Sequence, residues 1–441
     1  MQPLQECYKM KLYSTKNKNA TVSLKEAVFK GLPSDNGLYM PTSIPLMSQE
    51  FFDTIDTLSF QDIAYEVSKT LIGDDIPAVD LRKIINEVIT FDAPVVHVKD
   101  NLYVLELFHG PSFAFKDFGA RFMASLMSYF LQKENKEINI LVATSGDTGS
   151  AVAQGFLDMP GIKVTILYPS KKVSEIQEKQ LTTLGKNITA LEINGTFDDC
   201  QRMVKEAFLD KELNEKMNLS SANSINISRL IPQSFYYFYA YAQVKKLGKS
   251  VVFCTPSGNF GNICGGLIGK RMGLPVQKFV AATNANNIVP KYLWTGLFEP
   301  KFSVTTISNA MDVGNPSNFA RIQAFFDNDL EKTKSEIVGK SYSDAETKKA
   351  MKEVFDLNGY IMCPHTAVAY LGLSEYRKES GSDSTGIFLA TAHPAKFIDI
   401  VEDVIGKKIE IPEKLQVVLK KEKKSIVMSN NFSDLKQFLL N

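Results

Sequence analysis

The spacing of apolar residues along the chain changes near residue 98. Before this point apolar residues recur every three to four positions, as in amphipathic helices, in the stretches SLKEAVFKGL, SFQDIAYEVSKTLI and VDLRKIINEVI. The turn-forming stretches PSDNG and IGDDIP separate them. The segment holds no cluster of catalytic residue types, and we expect residues 1–98 to form a small, mostly helical N-terminal domain.

Beyond residue 98, short apolar runs alternate with helical stretches. The runs INILVA, KVTILY, VVFC, KFVAAT and GIFLA are each bounded by turn-forming residues, which is typical of buried strands. Between some of them lie the helical stretches GSAVAQGFL, FDDCQRMVKEAFL and ISRLIPQSFYYFYAYAQV. Because strands that alternate with helices form parallel βαβ units, the pattern predicts an α/β fold.

Three of the predicted strands end in polar loops. INILVA runs into TSGDTGS, VVFC into TPSGNFGNICGG, and GIFLA into TAHPAKF. Ligands of open α/β sheets bind beyond the carboxyl ends of the strands, so these loops would line one pocket if the strands are neighbours. Each loop alone is weak evidence, because ordinary strand-to-helix turns also use Gly, Ser and Thr.

The loop SGNFGN, residues 257–262, is the best candidate for an anion site. Gly258 and Gly261 allow close backbone approach, and a helix that begins near Asn262 would direct free N–H groups at a phosphate. The loop matches neither the G-x-G-x-x-G pattern nor the G-K-[ST] pattern, so neither a dinucleotide nor ATP is indicated. An ordinary tight turn is the alternative interpretation.

A second helix start, TSGDTG, offers Ser145 and Thr148 to a carboxylate or phosphate. Asp147 has the wrong charge for that role, and we interpret it as a helix cap or as the partner of another group.

Arg229, in ANSINISRLIPQ, lies near a further helix start, where the helix dipole does not favour a cation. Together with Asn223 and Ser224 it could bind a phosphate through two parallel hydrogen bonds. A surface arginine is the alternative.

Lys116 stands in an apolar stretch, FAFKDFG, with Phe113, Phe115 and Phe118 around it. Apolar surroundings and the positive end of the predicted helix both disfavour a charged ammonium here. A lysine that is kept partly neutral is a nucleophilic amine, able to form a Schiff base and to act as a base. The alternative is a side chain whose stem lies on apolar surface while its ammonium reaches water.

Composition narrows the function classes. The net charge of +1 gives no support to a role in binding nucleic acid or a membrane surface. No apolar run is long enough to span a membrane, and the first residues lack the apolar core of a secretory signal. The 5 cysteines share no C-x-x-C spacing, which indicates reduced thiols and a cytoplasmic location. The 4 histidines lie far apart in the sequence, so no metal is expected.

These motifs together resemble the threonine synthase family, pyridoxal-phosphate enzymes of fold type II. The resemblance extends over nearly the whole chain, in matching order, through MKLYSTKNKN, GLYMP, HGPSFAFKDFG, SGDTGSA, NSINISR, SGNFGN, AMDVGNPSNF and ATAHPAKF. It implies two α/β lobes with parallel-rich sheets and pyridoxal 5'-phosphate in the cleft between them. We therefore expect residues 99–136 and 251–441 to form a large cofactor-binding lobe and residues 137–250 a small lobe.

The resemblance also implies roles for individual residues. Lys116 occupies the position of the lysine that carries the cofactor as a Schiff base, and Thr391 that of the hydroxyl at the pyridine nitrogen. The cofactor-phosphate loop corresponds to Gly258, Asn259, Phe260, Gly261 and Asn262. The positions that hold the charged ends of the substrate correspond to Ser145, Thr148, Asn223, Ser224 and Arg229.

Two positions depart from the family pattern. Asp147 stands where many fold type II enzymes have an asparagine, which leaves the contact to the phenolic oxygen of the cofactor open. PSKKVS replaces the usual GKVS, so Lys172 is only a candidate ligand of a phosphate.

The family reaction converts O-phospho-L-homoserine and water to L-threonine and phosphate, the last step of threonine biosynthesis. Two related enzymes are alternatives: a lyase that releases 2-oxobutyrate from the same substrate, and a serine/threonine dehydratase, whose substrate needs no second phosphate site. A silent carrier of pyridoxal phosphate is a third alternative, although it would not need Arg229, Asn223 and Ser224. We expect a small-molecule substrate, a monomer or homodimer, and no nucleic-acid or membrane partner.

Overall fold

The N-terminal segment combines helices with a small sheet. The protein is described by a computed structural model that covers residues 8–144 and 146–441. Its first elements are β1 (Lys11–Ser14), β2 (Asn17–Ser23), α1 (Leu24–Lys30), β3 (Tyr39–Pro41), α2 (Gln49–Thr54), α3 (Phe60–Ile72) and α4 (Ala78–Val88). The three strands are antiparallel in the order β2-β1-β3. The three predicted helices are α1, α3 and α4, whereas the sheet was missed because the sequence of β2, NKNATVS, is mostly polar and exposed.

The larger of two further sheets has six strands. They are β4 (Val95–Lys99), β5 (Leu102–Glu106), β10 (Val251–Pro256), β11 (Val276–Thr283), β12 (Ile337–Ser341) and β13 (Thr385–Ala390). Their order is β12-β11-β10-β13-β5-β4, and every neighbouring pair is parallel except β4 with β5. β10 and β13, which precede two of the predicted ligand loops, are therefore neighbours.

The second sheet has five parallel strands. They are β6 (Ile138–Ala143), β7 (Ile162–Pro169), β8 (Ile188–Asn194), β9 (Leu219–Ser220) and β14 (Ile426–Ser429), in the order β14-β8-β7-β6-β9. The last strand, β14, pairs with β8, so this part of the C-terminal segment joins the sheet of the small lobe. The expected range 251–441 for the large lobe is wrong at this point, because the local sequence gives no sign of the distant strand with which β14 pairs. The other lobe boundaries stay a prediction.

Helices pack against both sheets. Those between α4 and β10 are α5 (Lys116–Glu134), α6 (Asp147–Phe156), α7 (Glu175–Thr182), α8 (Phe197–Leu209), α9 (Lys211–Lys216), α10 (Ile227–Leu230) and α11 (Phe235–Val244). Those that follow are α12 (Gly261–Arg271), α13 (Ile288–Thr295), α14 (Phe319–Phe325), α15 (Leu330–Glu336), α16 (Asp344–Asn358), α17 (Pro364–Ser380), α18 (Ile398–Ile405), α19 (Glu413–Leu419) and α20 (Phe432–Leu440). Short 3-10 turns lie at Ile55–Thr57, Ile231–Gln233, Lys245–Leu247, Asn309–Met311 and Pro394–Phe397.

The helical stretch predicted over ISRLIPQSFYYFYAYAQV is interrupted. α10 ends at Leu230, a 3-10 turn follows, and α11 begins at Phe235. Pro232 explains the break, since proline lacks the backbone N–H that would continue the helix. The mostly aromatic sequence of α11 is nearly all buried, as expected for a helix enclosed by other elements.

Arg321 ties the N-terminal sheet to the rest of the fold. Its side chain is fully buried, and its Nη2 donates to the carbonyl oxygens of Tyr39 at 3.1 Å and Ile225 at 2.6 Å. Its Nη1 donates to Oδ1 of Asn318 at 2.6 Å. Burial lowers the pKa of the guanidinium to about 10, so it stays charged at neutral pH. The same side chain thus fixes β3, the loop before α10 and the loop before α14.

We expect Arg321→Met to lower the free energy of unfolding by about 2–3 kcal/mol, because three buried acceptors lose a charged donor. Arg202→Met is the control, since the ion pairs of the exposed Arg202 with Asp199 and Glu206 are screened by water and should contribute little to stability. Urea titration of both variants measures the difference. Equal losses in the two variants would contradict the role given to Arg321.

Candidate active site

Lys116 is the first residue of α5 and is held at the end of β13. The backbone N–H of Phe115 donates to the carbonyl oxygen of Thr391 at 2.9 Å, and Ala114 forms a β-bridge with Ala392. These contacts bring the Lys116 loop to the carboxyl end of β13. The side chain of Lys116 is 17% exposed, and its Nζ lies 3.9 Å from Oδ2 of Asp147.

Burial lowers the pKa of the Lys116 ammonium. The negative charge of Asp147 opposes this effect, whereas the positive charges of Lys396 and Arg229 add to it. A lower pKa favours the neutral amine, which is the nucleophilic form. The alternative interpretation of Lys116, an ammonium that reaches water, is less favoured because only 17% of the side chain is exposed.

The loop 258–262 follows β10, and it comes so close to neighbouring backbone that position 258 requires a glycine. A Cβ on Gly258 would lie 2.7 Å from the Cα of Met311. Phe260 has a φ of 61°, and α12 begins at Gly261, so the free N–H groups of the first turn of the helix point out of this loop. Asn259 joins the loop to Ser224, since its Nδ2 donates to the Ser224 Oγ at 3.1 Å.

Two buried amide groups, one in this loop and one beside it, have donors without a partner in the part of the chain that the structure describes. Oδ1 of Asn262 accepts hydrogen bonds from the hydroxyls of Tyr236 at 2.8 Å and Tyr237 at 2.7 Å, and its Nδ2 remains unpaired. Nδ2 of Asn318 is also unpaired and lies 3.4 Å from the position of a Cβ on Gly261. Buried donors are normally satisfied, so together with the start of α12 they fit an anion such as a phosphate. Sequence reasoning missed Asn318, although it stands in the motif AMDVGNPSNF.

Asp147 forms an ion pair with a lysine that sequence reasoning missed. Asp147 is the first residue of α6, and its Oδ1 lies 2.6 Å from Nζ of Lys396. Gln177 donates to the same oxygen at 3.0 Å. Burial raises the pKa of Asp147, but the charges of Lys396 and Lys116 outweigh burial and hold it below its ordinary value. Lys396 stands in TAHPAKF, where nothing in the local sequence indicates that it is buried.

Arg229 is buried, which excludes the surface alternative. Its Nη1 donates to the carbonyl oxygen of Ala222 at 2.7 Å, while its Nε is buried and has no partner among the described residues. Burial lowers its pKa to about 10, against the attraction of Asp117. The backbone of Arg229 packs against α5 at Gly119, since a Cβ on Gly119 would lie 2.9 Å from the carbonyl oxygen of Arg229. Gly119 lies about one helical turn after Lys116.

The remaining predicted residues differ in burial. Thr391 is buried, Thr148 and Ser224 are half-buried, and Asn223 is exposed. Lys172 is exposed as well. Ser145 lies outside the described residues.

The three predicted loops thus meet in one place, although they come from two sheets. The loop after β6 reaches Lys116 through Asp147, and the turn after β13 reaches Asp147 through Lys396. The loop after β10 lies beside that turn because β10 and β13 are neighbours. A buried amine and a set of unpaired buried donors fit a cofactor with one aldehyde and one phosphate, as in pyridoxal phosphate.

Comparison with known proteins agrees with this geometry. A family model described as pyridoxal-phosphate dependent enzyme matches residues 88–391. Models of the threonine synthase N terminus and C-terminal region match residues 11–89 and 366–439. The chain is 44% identical over 433 residues to threonine synthase of Buchnera aphidicola subsp. Baizongia pistaciae, covering 98% of this chain and 100% of the relative.

Two crystal structures are similar over nearly their whole length. Threonine synthase from Escherichia coli has a TM-score of 0.89 at 41% identity, covering 98% of this chain and 100% of that one. Threonine synthase from Brucella melitensis with bound PLP has a TM-score of 0.92 at 33% identity, covering 98% and 99%.

The fold and the site therefore define a pyridoxal-phosphate-dependent enzyme of fold type II. More narrowly, the chain belongs to the threonine synthase family. The comparisons confirm the predicted family, fold class, enzyme class and cofactor.

The buried carboxyl of Asp117 makes the stability of the protein depend on pH. Its Oδ2 accepts from the Ser112 N–H at 2.8 Å, its Oδ1 has no partner in the described ranges, and burial raises its pKa to about 6. The folded state therefore binds this proton more tightly than the unfolded state. The stabilisation is complete below the ordinary pKa of 3.8 and is lost as the pH rises to about 6.

We expect Asp117→Asn to be more stable than the wild type at pH 7.5, by on the order of 2 kcal/mol, because the amide removes a buried charge. At pH 4.5 the gain should be clearly smaller, because the folded wild type is then still mostly protonated at this carboxyl. Thermal unfolding at both pH values measures this. Asp199→Asn is the control, since hydrogen bonds from Thr196 hold the pKa of this exposed carboxyl below its ordinary value and the substitution should destabilise at pH 7.5. A gain for Asp117→Asn that does not change with pH would contradict the assignment.

Proposed function

We propose that this protein converts O-phospho-L-homoserine and water to L-threonine and phosphate in the pocket around Lys116. The observation that carries the proposal is that a mostly buried amine and a buried guanidinium occur together in a chain of the threonine synthase family. The amine belongs to Lys116, which begins α5, and the guanidinium belongs to Arg229, whose backbone packs against α5. One group suits the attachment of the cofactor and proton transfer, and the other suits a leaving phosphate.

Pyridoxal phosphate, when bound, supplies an electron sink for the bonds at the α carbon of the substrate. In this proposal Gly258, Asn259, Phe260, Gly261 and Asn262 hold its phosphate through the first turn of α12 and the unpaired Nδ2 of Asn262. The hydroxyl of Thr391 binds the pyridine nitrogen. Since a hydroxyl is neutral, it does not hold that nitrogen protonated as a carboxylate would.

Lys116 is the catalytic base of the proposal. When it is not attached to the cofactor, its Nζ would move protons at the α and β carbons of the substrate. Its lowered pKa suits this work, because a base must be neutral before it accepts a proton.

The two anionic ends of the substrate bind at different places in this proposal. Thr148, at the start of α6, and Ser145 bind the carboxylate, helped by the N–H groups of that helix start. Arg229, Asn223 and Ser224 bind the substrate phosphate. The unpaired Nε of Arg229 is the donor that this phosphate would satisfy.

The site fits a serine/threonine dehydratase less well than the proposed reaction, because the substrate of a dehydratase has no phosphate for a buried guanidinium to bind. The similarity to a threonine deaminase from Solanum lycopersicum, at 16% identity and a TM-score of 0.58, concerns the fold alone.

We also propose a cytoplasmic protein that acts as a monomer or homodimer and binds no nucleic acid. The four cysteines of the described part, Cys200, Cys254, Cys264 and Cys363, are buried and free, which suits a reducing compartment. None of the described helices has the length and apolar content that a membrane span requires. The net charge of +1 supports the absence of a nucleic-acid partner.

Lys116→Ala should abolish both turnover and the visible absorbance of the attached cofactor. Purified protein is supplied with O-phosphohomoserine, and phosphate, threonine and 2-oxobutyrate are assayed together. Lys133→Ala, an exposed lysine near the other end of α5, should keep activity and absorbance. Near-normal turnover by Lys116→Ala would contradict the proposal, and 2-oxobutyrate in place of threonine from the wild type would favour the lyase.

Arg229→Lys should lose about 2–4 kcal/mol of transition-state stabilisation although its charge is kept, because an ammonium cannot form the paired hydrogen bonds of a guanidinium. Steady-state kinetics measures kcat/KM, and the cofactor absorbance should not change. Arg121→Lys is the matched control on α5, since Arg121 donates to the backbone oxygens of Glu87 and Val88 and not to the pocket. An unchanged kcat/KM in Arg229→Lys would remove Arg229 from the site.

A further inference from the structure

The carboxylate of Asp147 is anchored at Oδ1, and Lys116 lies on the side of Oδ2. Oδ1 accepts from Lys396 at 2.6 Å and from Gln177 at 3.0 Å, while Oδ2 is the oxygen that lies 3.9 Å from Lys116 Nζ. Gln177 is itself fixed by the capping box of α7, and a Cβ on Gly146 would lie 2.5 Å from its side chain. The orientation of the carboxylate toward Lys116 is therefore set by its surroundings.

Asp147 depends on Lys396 in order to stay charged. The Lys396 side chain is 0% exposed and that of Asp147 is 5% exposed, so neither charge is solvated by water. Besides Asp147, the Lys396 ammonium donates to the carbonyl oxygen of Ser112 at 2.8 Å. Within the described ranges, Asp147 is the only carboxylate at ion-pair distance from Lys396. Removing Lys396 leaves the carboxylate of Asp147 buried without this cation, which favours the neutral form of Asp147.

Other ionisable groups act on this cluster from the elements packed around it. They are Asp117 on α5, Arg229 on α10, Cys363 and His365 at the start of α17, and His393 before the last 3-10 turn. Burial lowers the pKa of both His365 and His393 to about 4. Burial raises the pKa of Asp117 to about 6 and that of the Cys363 thiol above its ordinary value. These groups therefore have their pKa values outside the range from 7 to 9, so a spectral transition of the holoenzyme in that range would not come from them.

We propose that Lys396 is a positioning residue that holds Asp147 as a carboxylate, and that this carboxylate keeps a proton on the nitrogen by which Lys116 attaches the cofactor. The inference rests on the proposed function, because it takes Lys116 as the attachment point. Lys396 acts only through Asp147. Its own positive charge repels a proton at Lys116, so its net effect is favourable only because Asp147 lies between the two lysines.

The test is a pH titration of the visible absorbance of the holoenzyme, which follows the proton on that nitrogen. Asp147→Asn should lower the pH of the spectral transition by about one to three units, as expected when an opposite charge within about 4–6 Å is lost. Lys396→Met should shift the transition in the same direction, because burial then protonates Asp147. An unchanged transition in either variant would overturn the proposal, as would an upward shift in Lys396→Met, which would show that Asp147 stays charged without Lys396.

A double variant guards against loss of folding. Asp147→Asn with Lys396→Met removes both buried charges, so it should melt at a higher temperature than either single variant while keeping the lowered spectral transition. If the double variant regained stability and its spectral transition also returned to the wild-type pH, Asp147 and Lys396 would only stabilise the fold, and the proposal would fail.

Lys340→Met is the matched control. Lys340 is a lysine of 12% side-chain exposure on β12 that binds Glu375 and Glu379, each at 2.7 Å. Its substitution should lower stability and leave the spectral transition in place, and a shift equal to that of Lys396→Met would overturn the proposal.

Borohydride reduction of the wild type followed by mass spectrometry tests the attachment of the cofactor to Lys116 separately from the role of Lys396. Cofactor found on another lysine would defeat the assignment of Lys116, whereas cofactor on Lys116 without the expected shifts would defeat the role of Lys396 alone.

Discussion

Burying like charges next to one another is the constraint on which the rest of the site depends. Lys116 and Lys396 both lie in the pocket, and each ammonium would be costly there without an anion. Asp147 lies between them and serves both. Since the three residues begin α5, begin α6 and follow β13, the charges are compensated only when both sheets are in place. The chemistry of one amine thus requires the assembled fold.

The proposed phosphate site around Asn262 is formed by neutral groups and not by compensated charges. Here amide and hydroxyl groups are arranged in advance, without formal charge in direct contact. Tyr236 and Tyr237 occupy one oxygen of Asn262, which leaves its nitrogen free for a ligand. Tyr236 also packs against Phe118, with ring centroids 5.3 Å apart, so this arrangement is coupled to the helix that begins at Lys116. This aromatic contact therefore links the proposed phosphate site to the helix that begins at Lys116.

Local sequence patterns were sufficient for most of the fold and for part of the site. The five apolar runs lie in β6, β7, β10, β11 and β13, and the stretch FDDCQRMVKEAFL is α8 itself. Lys116 could be found because its apolar neighbours are adjacent in sequence. Lys396 and Asn318 could not, because their burial comes from segments far away in the chain. The pairing of β14 with β8 was missed for the same reason: a strand shows its own character in its sequence but not its partner.

That pairing has a consequence for synthesis of the protein on the ribosome. β8 ends at Asn194, and the strand that covers its outer edge begins at Ile426, about 230 residues later. At 5–20 residues per second, the ribosome needs on the order of 10–50 s to make that stretch. During this time the backbone N–H and C=O groups along one side of β8 have no strand beside them, and such an edge can pair with other chains. The nascent chain is thus most exposed to aggregation after the small sheet has formed and before its last strand has emerged.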